Sequence, residues 1–114
     1  MLNYAANIEI FHGVSRGFWV QYNDSFKRRI GIQANTDFEA FERVYDKINI
    51  DLGNFLCQTS GYKEGVLDSL VDENGKVIDQ VALAKTHGRD SPLGSVDQVI
   101  KEYFPDGKLR VKRH

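Results

Sequence analysis

The side chains with the widest chemical reach in this chain are its three histidines, His12, His87 and His114. Two imidazoles beside a cation suit metal-independent RNA cleavage. One takes the proton of a 2′-hydroxyl, the other protonates the leaving oxygen, and Lys or Arg stabilises the charged transition state. The sequence puts His12 in a glycine-flanked turn and His87 in a polar loop next to Arg89. No His-x-x-x-His or His-Glu-x-x-His spacing is present, so no local metal motif exists. Histidines in polar turns are the simpler reading.

The loop Thr86–Ser95 offers a second chemistry. Gly88, Gly94 and the free N–H groups of a helix beginning at Ser95 would cradle an anion, with Arg89 as counter-charge; an ordinary strand-to-helix connection shaped by Pro92 and Gly94 is the simpler reading. It is not a P-loop: the two glycines are six apart, and Ser95 stands where that motif has lysine. The acidic stretch Glu64, Asp68, Asp72, Glu73 and Asp79 invites a calcium test. Counting from Asp68, the sixth position is Glu73 where a calcium loop requires glycine, so the motif fails. These carboxylates read as a solvated surface, and no metal or cofactor is expected.

Two basic clusters remain, Lys27-Arg28-Arg29 and the C-terminal set Lys108, Arg110, Lys112 and Arg113. On neighbouring strands they would form one positive strip, with Phe18, Trp19 and Tyr22 as stacking faces for a single-stranded nucleic acid. Cys57 follows Phe55 and Leu56 and has no basic neighbour to lower its pKa, so it reads as a buried thiol. No Gly-x-Ser-x-Gly elbow is present.

The elements that position these residues follow from periodicity. Ile8 and Ile10, then Phe18–Tyr22, then Lys27–Gln33 alternate in the period of a pleated strand. Turns at Gly13–Gly17 and Asn23–Ser25 join them into a three-stranded meander. Thr36 and Glu39 have capping-box spacing, and Phe38, Phe41, Tyr45, Ile48 and Leu52 form an apolar helical stripe that stops at Gly53. Residues 54–70 are ambiguous, with Tyr62, Val66, Leu67 and Leu70 compatible with a helical face. Asn74-Gly75 predicts a hairpin whose second strand runs from Lys76 to about Ala84. Ser95 and Gln98 open a second helix with Val96, Val99, Ile100, Tyr103 and Phe104 on its apolar face. Pro105-Asp106-Gly107 ends it, and Lys108–His114 alternates as an edge strand.

The expected fold is a single α+β domain over residues 1–114. It has an antiparallel sheet of about five to six strands with two amphipathic helices on one face, in the order βββ-α-(?)-ββ-α-β.

Composition bounds the function. The chain has 114 residues, 41% hydrophobic and 27% charged, with 15 Lys+Arg against 16 Asp+Glu and a net charge of -1. That balance argues against a strongly basic nucleic-acid module and against an acidic mimic. One cysteine excludes a disulfide framework. The N-terminus lacks the basic region and apolar run of a signal peptide, no stretch is apolar enough to span a bilayer, and a cytoplasmic location is expected.

With no catalytic motif, the sequence favours a non-enzymatic protein-binding module. Such a module would cap a partner in the manner of an inhibitor, immunity protein or antitoxin. Trp19 or Tyr22 would be the anchor, with Asp68, Asp72, Glu73 and Arg89 as charged contacts. The alternative is a small RNA-binding or RNA-cleaving protein using His12, Lys27, Arg28, Arg29, His87, Arg110 and Lys112.

Overall fold

The computed structural model describes residues 1–15, 18, 20–56, 62–87 and 96–113. The first strands are longer than the turn signals suggest. β1 (Leu2–Ser15) and β2 (Val20–Ala34) form one antiparallel hairpin, paired from Leu2↔Ala34 to Ser15↔Val20. The expected meander is therefore two strands, and His12 lies within β1 rather than in a turn. Asn23-Asp24-Ser25 is not a turn either. The register shifts between His12 and Gly13, so that His12 faces Asp24, Gly13 faces Tyr22, and Asn23 is the extra residue. A β-bulge needs the same tolerance of kinked backbone as a turn, which is why Asn and Asp signal both.

Helix α1 (Asp37–Leu56) follows. Its start is the predicted cap: the Glu39 N–H donates to Thr36 Oγ1 at 3.1 Å. The return bond goes one residue further back, from the Asn35 N–H to Glu39 Oε2 at 3.2 Å. The buried stripe is Ala40, Val44, Ile48 and Leu52, each fully buried, with Phe41 partly buried beside it. Tyr45, expected in the stripe, is 38% exposed. Ala40 and Val44 are small, so they bring the helix axis close to the sheet, and the larger aromatics flank the contact. Gly53 does not stop the helix, which runs on to Leu56.

The ambiguous segment contains β3 (Tyr62–Val71), antiparallel to β1. Its register shifts where Asn7 faces Ser69 and Ile8 faces Leu67, leaving Asp68 as an extra residue. This bulge puts Leu67 and Leu70 on the same face although they are three residues apart. The helix-like spacing belongs to a bulged strand.

The Asn74-Gly75 turn forms as expected. Gly75 has φ 82°, its N–H donates to the Asp72 carbonyl at 3.1 Å, and Asp72 Oδ1 accepts from the N–H groups of Asn74 and Lys76 at 2.9 Å. The returning chain makes only one isolated bridge, Val71↔Val77. The expected strand over Lys76–Ala84 is replaced by α2 (Gln80–His87), capped where the Ala82 N–H donates to Asp79 Oδ1 at 3.0 Å.

α3 (Val96–Tyr103) ends where predicted: Gly107 has φ 78° and its N–H donates to the Phe104 carbonyl at 3.1 Å. β4 (Arg110–Arg113) is the edge strand expected of the C-terminal alternation.

The result is an α+β fold. Among the described residues it has a four-stranded antiparallel sheet, order β2-β1-β3-β4, and three helices, in place of five to six strands and two helices. One core unites Tyr4, Ala6, Ile8 and Ile10 of β1 with the α1 stripe, Leu67, Leu70, Ile78, Phe104, Leu109 and Val111. Val81, Leu83 and Ala84 of α2 and Ile100 and Tyr103 of α3 pack against it. Phe41 and Phe104 stack with ring centroids 6.0 Å apart, tying α1 to the end of α3. Gln80 closes the seam between β3 and β4. Its Nε2 donates to the Leu67 carbonyl at 2.9 Å, and its Oε1 accepts from the Leu109 N–H at 2.8 Å.

Candidate functional site

Side chains alternate across a sheet, so burial of Ala6, Ile8 and Ile10 under α1 sends Asn3, Ala5, Asn7, Glu9 and Phe11 to the opposite face. The register then fixes who stands beside whom on that second face. One row is Lys27, Glu9, Val66 and Arg110, and the next is Ser25, Phe11, Glu64 and Lys112. Towards the other end come Arg29, Asn7 and Ser69, then Gly31, Ala5 and Val71. Asn7 Nδ2 donates to Ser69 Oγ at 2.8 Å, a cross-strand tie within this face.

The face is polar, and among these rows cations outnumber carboxylates. Glu64 is 1% exposed and is held by Arg110, whose other nitrogen donates to Asp106 Oδ2 at 2.8 Å. Burial alone would lower the Arg110 pKa. The bonds and charges of Glu64 and Asp106 outweigh it and hold the guanidinium above its ordinary value. Arg110 is thus committed to the fold. Lys27, Arg29 and Lys112 are exposed and point into solvent. They give the face its positive character, with Glu9, half-buried, as the nearest opposing charge in the Lys27 row.

The two basic clusters are not neighbours. β2 and β4 are the opposite edges of the sheet, with β1 and β3 between them. Nor does the run Lys27-Arg28-Arg29 act as a unit. Arg28 faces the helix side, where its Nη1 meets Asp51 Oδ2 of α1 at 2.8 Å. The single strip of the sequence reading is therefore split between two edges.

The acidic candidates have structural work. Asp72 organises the turn through its two backbone bonds, and Glu73 Oε1 accepts from the Asn3 N–H at 2.8 Å. Asp68, the bulge residue, pairs with Lys108 Nζ at 3.7 Å. Asp79 caps α2. No group of three or more metal-ligating side chains is found among the described residues.

His12 lies in β1, facing Lys63 of β3 and Asp24 of β2. His87 is the last residue of α2, and Tyr22 lies in β2. Trp19, Cys57, Gly88, Arg89, Gly94, Ser95 and His114 lie outside the described residues. Phe18, between β1 and β2, is fully exposed, more so than Phe26 or Tyr45. The sequence offers Phe18 as a stacking face beside Trp19 and Tyr22, within a strand over Phe18–Tyr22; the structure instead places it ahead of β2, which begins at Val20.

No helix of the described residues is long and apolar enough to cross a membrane. Comparison with protein-family models, with curated proteins and with solved structures finds no match.

Proposed function

We propose that this protein is a non-enzymatic binding module that caps an acidic protein surface, as an inhibitor or immunity-type protein caps a toxin. The observation that supports this reading is the second sheet face. Among the described residues the helices gather on the other side; on this face Glu64 and Val66 of β3 are buried, and exposed Lys27, Arg29 and Lys112 stand on the two edge strands. Charges placed this way steer an acidic partner and fix its orientation. Phe18 adds an exposed aromatic at the hairpin end, a residue type that anchors interfaces.

The test is affinity capture from native lysate at moderate salt, with wild type beside the triple variant Lys27→Glu, Arg29→Glu, Lys112→Glu. All three positions are exposed, so the variant keeps the fold. A stoichiometric protein band with a low 260/280 absorbance ratio, lost in the variant, supports the reading. Retention of the band by the variant would sink it, and so would captured material that is nucleic acid.

A further inference from the structure

β2 is the long outer edge of the sheet, and the direction of its backbone groups can be worked out. In an antiparallel pair the N–H and C=O of one residue point to the same side, and the side alternates along the strand. The Asn3 N–H donates to Glu73 Oε1 at 2.8 Å, on the β3 side, so Asn3 turns its backbone away from β2. Its partner Gln33 must then turn outward too. The Gln33 carbonyl does so, accepting from Arg43 Nη1 at 2.5 Å. The β1–β2 register is unbroken from there to His12, so Gly31, Arg29, Lys27 and Ser25 also direct N–H and C=O outward. Arg43 covers the edge at Gln33. From Ser25 to Gly31 no strand of the described residues pairs with it on that side, about 20 Å of strand at the usual rise per residue.

We infer that this edge receives an extended segment of a partner protein by strand addition, the segment carrying acidic residues at alternate positions and apolar residues between them. The inference rests on the protein-binding reading above. The alternation of β2 sets the partner's pattern. Side chains of an added strand that lie over the second face meet Lys27 and Arg29. Those over the helix side meet Phe26, 39% exposed, and the partly buried Ile30, with Arg28 between them turned to Asp51 of α1. Backbone pairing supplies affinity and the alternate side chains supply selectivity.

Gly31 leaves the edge unobstructed. Glycine weakens a strand interior, yet a Cβ at Gly31 would meet nothing within 4 Å, so the fold itself does not require glycine there. The position is equally open to an added strand, which lies in the plane of the sheet, while a Cβ projects out of it. A second copy of this chain is a poorer occupant, because pairing two β2 edges across a twofold near Arg28 sets Arg28 against its own copy and Lys27 against Arg29 of the other chain.

The probe is a terminally blocked octapeptide alternating Glu and Val, with a Lys-Val octapeptide as control, added to the full-length ¹⁵N-labelled chain. In the free protein the amides of Lys27, Arg29 and Gly31 should exchange quickly, and those of Arg28 and Ile30, turned toward β1, slowly. The Glu peptide should slow the outward set by about tenfold and leave the inward set unchanged. The Lys peptide should do neither. Gly31→Pro removes an outward N–H without touching the β1 ladder and should abolish the protection.

Failure of the Glu peptide to bind overturns the inference. So does binding that leaves the outward amides fast, since the peptide would then lie on the face. Outward amides already protected in a dimer of the free chain would also overturn it, naming a second copy as occupant. If the capture experiment yields a charge-dependent protein partner while the peptide gives no protection, strand addition fails alone. If capture yields no such partner, the binding reading itself fails.

Discussion

Two glycines in this sheet should respond in opposite directions to the same substitution. Gly65 sits in β3 under α1, opposite Ile10 of β1 and Val111 of β4. A Cβ there would lie 2.5 Å from Ile48 Cγ2, 3.3 Å from Ile10 Cδ1 and 3.7 Å from Leu52 Cδ1. The closest atom is a branch of a buried helix residue, not the end of a flexible chain, so relief requires α1 to lift. Overpacking of this kind costs about 1–3 kcal/mol. Alanine regains about 0.5–1 kcal/mol of the conformational freedom that glycine loses on folding. Gly65→Ala should therefore destabilise by about 1–2 kcal/mol, the packing term outweighing the entropic one. Gly31→Ala, with open space around it, should stabilise by about 0.5 kcal/mol. Urea denaturation followed by circular dichroism reads both, as shifts in midpoint at constant slope. A cycle with Ile48→Ala isolates the contact. On that background the penalty of Gly65→Ala should shrink by about 1 kcal/mol or more. A Gly65→Ala protein as stable as wild type would refute the close approach of α1 to β3.

Three further perturbations test other parts of the structure. Gln80→Ala strips partners from the Leu67 carbonyl and the Leu109 N–H at a buried seam, and should cost about 2–4 kcal/mol in the same urea titration. Arg110→Ala leaves the buried Glu64 carboxylate without its guanidinium and should cost about 3 kcal/mol at neutral pH. Adding Glu64→Leu should recover much of that loss. Burial, reinforced by the hydrogen bond to Asp37, pushes the Tyr4 hydroxyl up from 10.0 to about 12. Between those values the unfolded chain loses a proton that the folded chain keeps, so stability falls as pH rises. The loss should reach about 2 kcal/mol by pH 12. Tyr4→Phe should flatten that fall relative to wild type, and an equally steep fall in the variant would refute the assignment.

The parts of the fold legible in the sequence are those governed by local chemistry. The Thr36–Glu39 cap, the Asn74-Gly75 turn and the Gly107 stop depend on a few adjacent residues, and each appears where its residue types put it. The edge strand near the C-terminus follows from simple alternation. What was misread depended on long-range pairing. Asn23-Asp24-Ser25 became a bulge because β1 offered a continuous partner along its length. Leu67 and Leu70 mimicked a helical face because a bulge at Asp68 reverses the strand's parity. Gln80–His87 became helix because Asp79 supplies a cap and because Gln80 is needed across the β3–β4 seam, a demand that its sequence neighbours do not reveal. The candidate site was legible only as residue types. Lys27, Arg29 and Lys112 were all singled out, but strand order decides whether basic clusters adjoin, and strand order is not written in either cluster.

That strand order also weighs between the two partner classes. Lys27 and Arg110 stand in the same row but three strand spacings apart, about 14 Å. This exceeds the screening length of about 8 Å at physiological salt, so their fields do not merge. A single nucleic-acid strand running along β2 meets Lys27 and Arg29, with Arg28 turned away and held by Asp51. A strand along β4 meets Lys112, while Arg110 is already engaged by Glu64 and Asp106. Among the described residues neither path collects the run of phosphate contacts from which nucleic-acid affinity is built. A broad acidic protein surface can reach both edges at once, and Glu9 between them then serves to reject a partner whose charges are out of register.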